Sequence, residues 1–169
     1  MALTQQQLKD LFEYRTDGNL IRKLVARGPA GQVGRVVGYR TKDSSRPDKV
    51  YMATKIEGQY YAIHKLIWIW HHGDVPKQLD HINRNSVDNR IENLRLASSS
   101  ENACNRRMFS NNTSGCKGVS WHKAQSRWFV YVDTNKKRKN IGYFDDLELA
   151  DLVSTEARDL YHGKYANHA

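Results

Sequence analysis

Apolar and polar positions along this chain change period several times, and each change marks an element. Leu8, Leu11 and Phe12 share one face of a segment opened by Thr4, which predicts a short helix over residues 4–14. Asp17-Gly18-Asn19 predicts a turn, and Leu20-Ile21 starts a strand. Residues 27–38 hold four glycines and a proline and predict an irregular loop. Val50 to Ile56 and Gln59 to Ile63 alternate around Glu57-Gly58, a hairpin pattern. From His64 to His71 the spacing turns helical, with Leu66, Ile67, Trp68 and Trp70 apolar and Gly73 as the stop. Leu79 and Ile82 then bracket Asp80-His81, as expected of a short strand presenting that polar pair at one end. Ser98-x-x-Glu101 is a capping box, which predicts a helix to about Met108 with Asn102 in its first turn.

Beyond Arg106 the pattern breaks. Residues up to Gly115 are polar and rich in Asn and Ser, and read as a linker. Gly118–Trp121, Arg127–Val132 and Lys139–Phe144 alternate as three strands. Asp145 or Asp146 then caps a helix carrying Leu149, Ala150, Val153, Ala157, Leu160 and Tyr161, ending at Gly163. The elements predict an α+β protein in three parts: a basic amino-terminal region over 1–60, a core over 61–110, and a sheet-plus-helix module over 111–169.

Charge narrows the partners. The chain has 169 residues with 27 Lys and Arg against 18 Asp and Glu, a formal net charge of +9. Residues 1–60 hold 11 basic against 6 acidic side chains, which makes that third the most basic in net terms. The balance points to a polyanion, and duplex DNA is the partner expected. Cys104 and Cys116 are the two cysteines; they form no disulfide or metal framework and read as packing residues. No signal peptide or membrane-length apolar run is present, so the expectation is a cytoplasmic protein, in a host cytoplasm if phage-encoded, with no membrane partner.

The candidate chemistry lies at Asp80-His81, with Asn93 twelve residues after the His and Asn102 nine further on. Phosphodiester hydrolysis needs a nucleophilic water, charge relief on the transition state and an acid for the leaving oxygen. A neutral His81 can accept the water's proton near pH 7. A cation held by Asp80 and Asn102 would polarise a phosphate oxygen, and so few protein ligands suit Mg²⁺, or Mn²⁺, which keeps several waters. The Asn93 amide can bond backbone on both sides of its loop and hold His81 in place. His64, His71 and His72 read as capping or surface residues, because no acidic partner lies at ligand spacing; His64 is the one that could help position the site.

These residues, with His64-Lys65-Leu66-Ile67-Trp68 ahead of them and Asp88-Asn89-Arg90-Ile91-Glu92-Asn93-Leu94-Arg95 within them, resemble the HNH (ββα-metal) nucleases over about residues 35–110. The similarity is greatest to the phage and intron-encoded homing endonucleases that carry Asn in place of the last His. The resemblance implies that Asp80 and Asn102 are metal ligands, His81 the general base and Asn93 the loop staple. No Cys-x-x-Cys is present, so no structural zinc is expected.

Residues 114–169 resemble the AP2/ERF DNA-binding domain. Lys117-Gly118-Val119, Arg127-Trp128 and Ile141-Gly142-Tyr143-Phe144 stand at its motif positions, and Ala150 and Ala157 lie on its alanine-rich helix. The resemblance implies that the sheet enters a DNA groove, with Lys117, Ser120, His122, Arg127, Tyr131 and Arg138 facing outward. Lys136-Lys137-Arg138-Lys139 would clamp phosphate. Arg27, Arg35, Arg40, Arg84 and Arg106 complete the expected DNA contacts. The whole reading is a site-specific endonuclease of the homing kind. One motif between two different flanks favours a monomer that nicks one strand with one divalent cation. A non-catalytic AP2-like regulator and a non-specific HNH nuclease of phage DNA processing are the rival readings.

Overall fold

The computed structural model describes residues 3–24, 32–43, 46–135 and 137–168, and it divides into two compact units, residues 1–96 and 97–169. Among the described residues no helix is long and apolar enough to cross a membrane.

The first unit opens with α1 (Gln5–Leu11), closed at its start by a reciprocal capping box between Thr4 and Gln7. The helix is shorter than the 4–14 expected. Phe12–Tyr14 leaves it to form β1, which pairs antiparallel with β2 (Leu20–Arg22). The Asp17-Gly18 turn lets the strands meet, and the ladder satisfies backbone that another helical turn would have satisfied locally. β3 (Tyr39–Asp43), β4 (Arg46–Ile56) and β5 (Gln59–Ala62) make an antiparallel sheet in that order. The hairpin between the last two turns at Glu57-Gly58, as the alternation predicts.

α2 (Ile63–His72) follows at once and ends at Gly73. Its Leu66 and Ile67 are fully buried against Leu8, Phe12 and Leu20, so one cluster joins α2, α1 and the first hairpin. Beside it lie β6 (Leu79–His81) and β7 (Leu94–Leu96), an antiparallel pair whose Leu79 and Leu94 enter the same core.

The second unit starts with α3 (Ser99–Cys104), opened by the Ser98–Glu101 capping box. It stops at Cys104 instead of running to about Met108. Asn105 caps it, and the Asn167 amide donates to the Asn105 carbonyl at 3.0 Å, so the last turn ends on a tertiary contact. β8 (Val119–His122), β9 (Arg127–Thr134) and β10 (Lys137–Phe144) form an antiparallel sheet with β9 in the centre. α4 (Leu147–His162) is capped by Asp146 and packs on one face of that sheet, over Val119 and Val130.

The buried stripe of α4 differs from the apolar stripe expected. Ala150, Ser154, Ala157 and Arg158 are buried, whereas Leu149 and Leu160 are exposed. Close approach is the cause. Gly118 has φ +77°, and a Cβ there would lie 2.8 Å from both Ser154 Oγ and the Tyr131 carbonyl, so the α4 position at the closest approach is a small residue, Ser154. Ser154 and Arg158 then satisfy the Lys117 carbonyl, which this packing removes from water.

Candidate active site

Asp80 and His81 sit on β6, where the register sets Asp80 opposite Arg95 and His81 opposite Leu94. Asp80 is 6% exposed, and a carboxylate that dry needs a charged partner. Arg95 supplies it: Nε and Nη2 donate to Asp80 Oδ2 at 2.8 and 2.6 Å. The pair forms because residues directly opposite across two strands share a face. Arg95 has no assigned role in the sequence reading, since its partner is visible only once the register is known.

His81 meets Asn89, a buried residue, with Nε2 3.3 Å from Oδ1. An amide oxygen only accepts, so Nε2 carries the hydrogen and Nδ1 is the acceptor of the neutral ring. Burial pushes His81 below the usual imidazole range, against the opposing pull of the Asn89 bond and the Asp80 charge. The ring is therefore neutral at pH 7, as a proton acceptor must be. Asn89 is a second residue without an assigned functional role; its link to His81 spans eight residues of irregular chain and carries no local signal.

His64, at the start of α2, packs its ring edge-on to His81 with centroids 5.2 Å apart. Burial, then the neighbouring His81 and Lys65, depress it to about 3, and its Nδ1 is buried with no hydrogen-bond partner. His71 and His72 lie elsewhere on the helix, packed on Tyr14 and Trp68 respectively.

The loop between β6 and β7 is held from inside by Asn93, which is 5% exposed. Its Oδ1 accepts from the Asn83 amide at 2.9 Å, and its Nδ2 donates to the Asp88 carbonyl at 2.7 Å and to Asn83 Oδ1 at 3.0 Å. Asp88 tightens the same loop by accepting from Asn83 at 2.6 Å and from Arg90 at 2.8 Å; these bonds, Arg90's first, hold its carboxyl at about 2. Arg84 follows His81 in a left-handed conformation, φ 62°, with its amide donating to the His81 carbonyl.

The amino-terminal hairpin braces this loop. Tyr14 Oη accepts from the Ile91 amide at 3.0 Å. Gly18, at φ +84°, lies so close that a Cβ would fall 2.5 Å from the Arg90 nitrogen.

Asn102 lies on α3 in the second unit, half-buried, its amide donating to the Ser98 carbonyl. Among the described residues no three His, Cys, Asp or Glu side chains gather as a metal cluster.

Of the expected DNA contacts, Arg35, Arg40 and Arg106 are exposed, and Arg27 lies outside the described residues, as does Lys136. Ser120, His122, Arg127 and Tyr131 occupy the face of the second sheet opposite α4. Arg127 is paired with Asp145 at 2.8 Å; Arg138 is paired with Asp133 at 3.0 Å and lies over the Tyr131 ring. Lys117, expected to face outward, turns its ammonium to the carbonyls of Cys104 and Arg106.

Residues 61–104, from the end of β5 through α2 and the β6–β7 hairpin to α3, match the HNH endonuclease family. Over 111 residues the chain is 36% identical to Protein 3.8 of Escherichia phage T7, an alignment covering 63% of this chain and 91% of that protein. No solved structure matches. The paired strands that carry Asp80 and His81 thus lie inside the matched segment, and the chain belongs to the family of phage T7 Protein 3.8, with an HNH endonuclease domain at residues 61–104.

Proposed function

We propose that the protein is a site-specific DNA endonuclease of the homing kind, nicking one strand with the help of one divalent cation. The observation that carries this reading is the state of His81. It is a largely buried imidazole, neutral at pH 7, with its tautomer set by Asn89 and its strand neighbour a buried carboxylate.

HNH nucleases generally use a divalent metal ion. The chemistry of the donors here suits a hard cation with few protein ligands: Asp80 offers a buried carboxylate and Asn102 a carboxamide, both oxygen donors. When bound, such a cation, Mg²⁺ or Mn²⁺, supplies charge relief at the phosphate. His81 Nδ1 takes the proton of the attacking water, and Asn89 keeps the ring turned for it. Asn93 keeps the loop, and with it Asn89, in place. Arg95 orients Asp80 within the dry hairpin through its two hydrogen bonds to Oδ2.

In this reading residues 1–60 and 111–169 hold a long asymmetric duplex while residues 61–110 cut, and the protein acts as a monomer. The net positive flanks support it. The AP2-like assignment adds the outer sheet face with Ser120, His122, Arg127, Tyr131 and Arg138, and the loop and strand arginines Arg35, Arg40, Arg84 and Arg106 add phosphate contacts.

The test is incubation of purified protein with supercoiled DNA and MgCl₂ or MnCl₂. Nicked circles are expected, and His81→Ala and Asp80→Asn should each abolish them while leaving DNA binding within a few-fold. Sequencing of both strands then maps the cuts. Scattered cuts would remove site specificity and leave a general HNH nuclease; no cutting by a folded protein would remove the enzyme.

A further inference from the structure

We propose that the solvent-facing side of the β8–β9–β10 sheet binds single-stranded nucleic acid, with unpaired bases stacking on Phe129, Tyr131 and Tyr143. The proposal builds on the reading of residues 111–169 as a DNA-contacting module, and it is independent of the cleavage chemistry.

The alternation of β9 sets the face. Val130 and Val132 are buried on the side that α4 covers, so Phe129 and Tyr131 project from the other. The register places Tyr143 of β10 and Ser120 of β8 on either side of Phe129. The rings form a continuous group. Phe129 and Tyr131 have centroids 5.7 Å apart and planes 26° apart; Phe129 and Tyr143 are 4.9 Å and 32° apart; His122 meets Tyr143 edge-on at 5.1 Å. Phe129 and Tyr131 are half-buried, and Tyr143 is 39% exposed. Phe129 touches both tyrosine rings, so an unpaired base joins the row at the exposed Tyr143 and, once Arg138 is traded to phosphate, at Tyr131.

Charge says which side of this unit meets a polyanion. Residues 117–144, which form the sheet, carry seven Lys and Arg against Asp133 alone, whereas residues 145–162, essentially α4, carry six Asp and Glu against Arg158 alone. The acidic segment of α4 repels phosphate, and of the cations Arg127 and Arg138 share the ring face, whereas Lys139 reaches Tyr161 of α4. The cations on the ring face are paired but replaceable. Arg127 with Asp145 and Arg138 with Asp133 are exposed ion pairs, which hold little free energy and can be traded for phosphate.

The occupant follows from the middle of the face. Reading an intact major groove needs hydrogen-bond donors and acceptors aimed at base edges. Here the central positions hold Phe129, Tyr131 and Tyr143. Inside a duplex the base faces are already stacked on one another, so these rings find partners only on bases that are unpaired.

The experiment uses full-length His81→Ala protein in EDTA and fluorescence anisotropy with labelled oligothymidylate, oligouridylate of the same length, and a duplex of about 15 base pairs. Tyr143→Leu and Phe129→Leu keep apolar bulk and remove the π-face, and Phe129→Ala is the more disruptive companion. Each Leu variant should weaken single-strand binding about tenfold and change duplex binding less than twofold. Loss on oligothymidylate alone marks DNA as the ligand, and equal loss on both strands marks the single-strand chemistry they share; both support the proposal. Equal weakening of duplex and single strand, or no effect on single strands, overturns it. Arg127→Gln with Arg138→Gln separates the readings: if these weaken duplex binding while the Leu variants change nothing, the module contacts DNA without the stacking face. If none of the variants alters binding to any of the three, the DNA-contacting assignment of the sheet fails too.

Discussion

Replacing Asn93 with Ala should loosen the loop that organises His81, and the cost can be worked from its contacts. The side chain makes three hydrogen bonds at 2.7–3.0 Å, two of them to the main chain at Asn83 and Asp88, and it is 5% exposed. At about 1 kcal/mol net for each bond, and more where a backbone group stays dry and unpaired, the loss comes to about 3 kcal/mol. In a unit of 96 residues that lowers the melting temperature by roughly 10–20 °C. Nuclease rate should fall further than stability, about 100-fold at a temperature where the variant is folded, because Asn89 rides on the same loop and a small displacement of a catalytic group is costly. Asn93→Asp keeps the acceptor for the Asn83 amide but loses both donors and sets a carboxylate beside a carbonyl, so it should rescue little. The assay is circular dichroism melting beside plasmid nicking. An Asn93→Ala protein that melts within about 2 °C of wild type and nicks at the wild-type rate would refute the staple.

Other consequences are independent of that one. Arg95→Gln strips the cation from a carboxylate that is 6% exposed, so urea unfolding should show a loss of about 3–4 kcal/mol. The double variant with Asp80→Asn should recover much of it, and strict additivity would show that the two side chains do not interact. Gly118→Ala sets a methyl 2.8 Å from Ser154 Oγ and the Tyr131 carbonyl at φ +77°; melting of the carboxy-terminal unit should drop by an amount equivalent to roughly 3 kcal/mol. Asp88 is held at about 2 against an ordinary 3.8, so its contribution to stability is complete above the ordinary value and lost as the pH falls from there towards 2. Asp88→Asn should remove that part of the acid transition, and an unchanged acid-unfolding curve would count against it.

How much of this was legible beforehand depended on the distance over which each feature is decided. The Thr4 cap, the Ser98 capping box, the Glu57-Gly58 hairpin, the Gly73 stop and the Asp146 cap all appear where the pattern puts them, because each is settled by neighbours within four residues. The overextended helices failed at their carboxy-terminal ends for the same reason in reverse. Phe12 leaves α1 for a strand partner ten residues away, at Arg22, and Asn105 ends α3 beside Asn167. The Leu149–Leu160 stripe was misleading on α4, since a close approach to Gly118 rewards small residues over large apolar ones.

The site divides along the same line. The Asp80-His81 pair with Asn93 and Asn102 stood out in the sequence, because reactive side chains at fixed spacing on short elements leave a linear trace. The tertiary structure alone decided which partners tune them. Arg95 comes opposite Asp80 only through the β6–β7 register, Asn89 turns back onto His81 from a loop, and His64 reaches the same ring from α2. Tyr14 and Gly18 brace that loop from over seventy residues upstream. Such pairings cost chain entropy to close and are repaid only by burial in a shared core, so no local stretch of sequence can announce them.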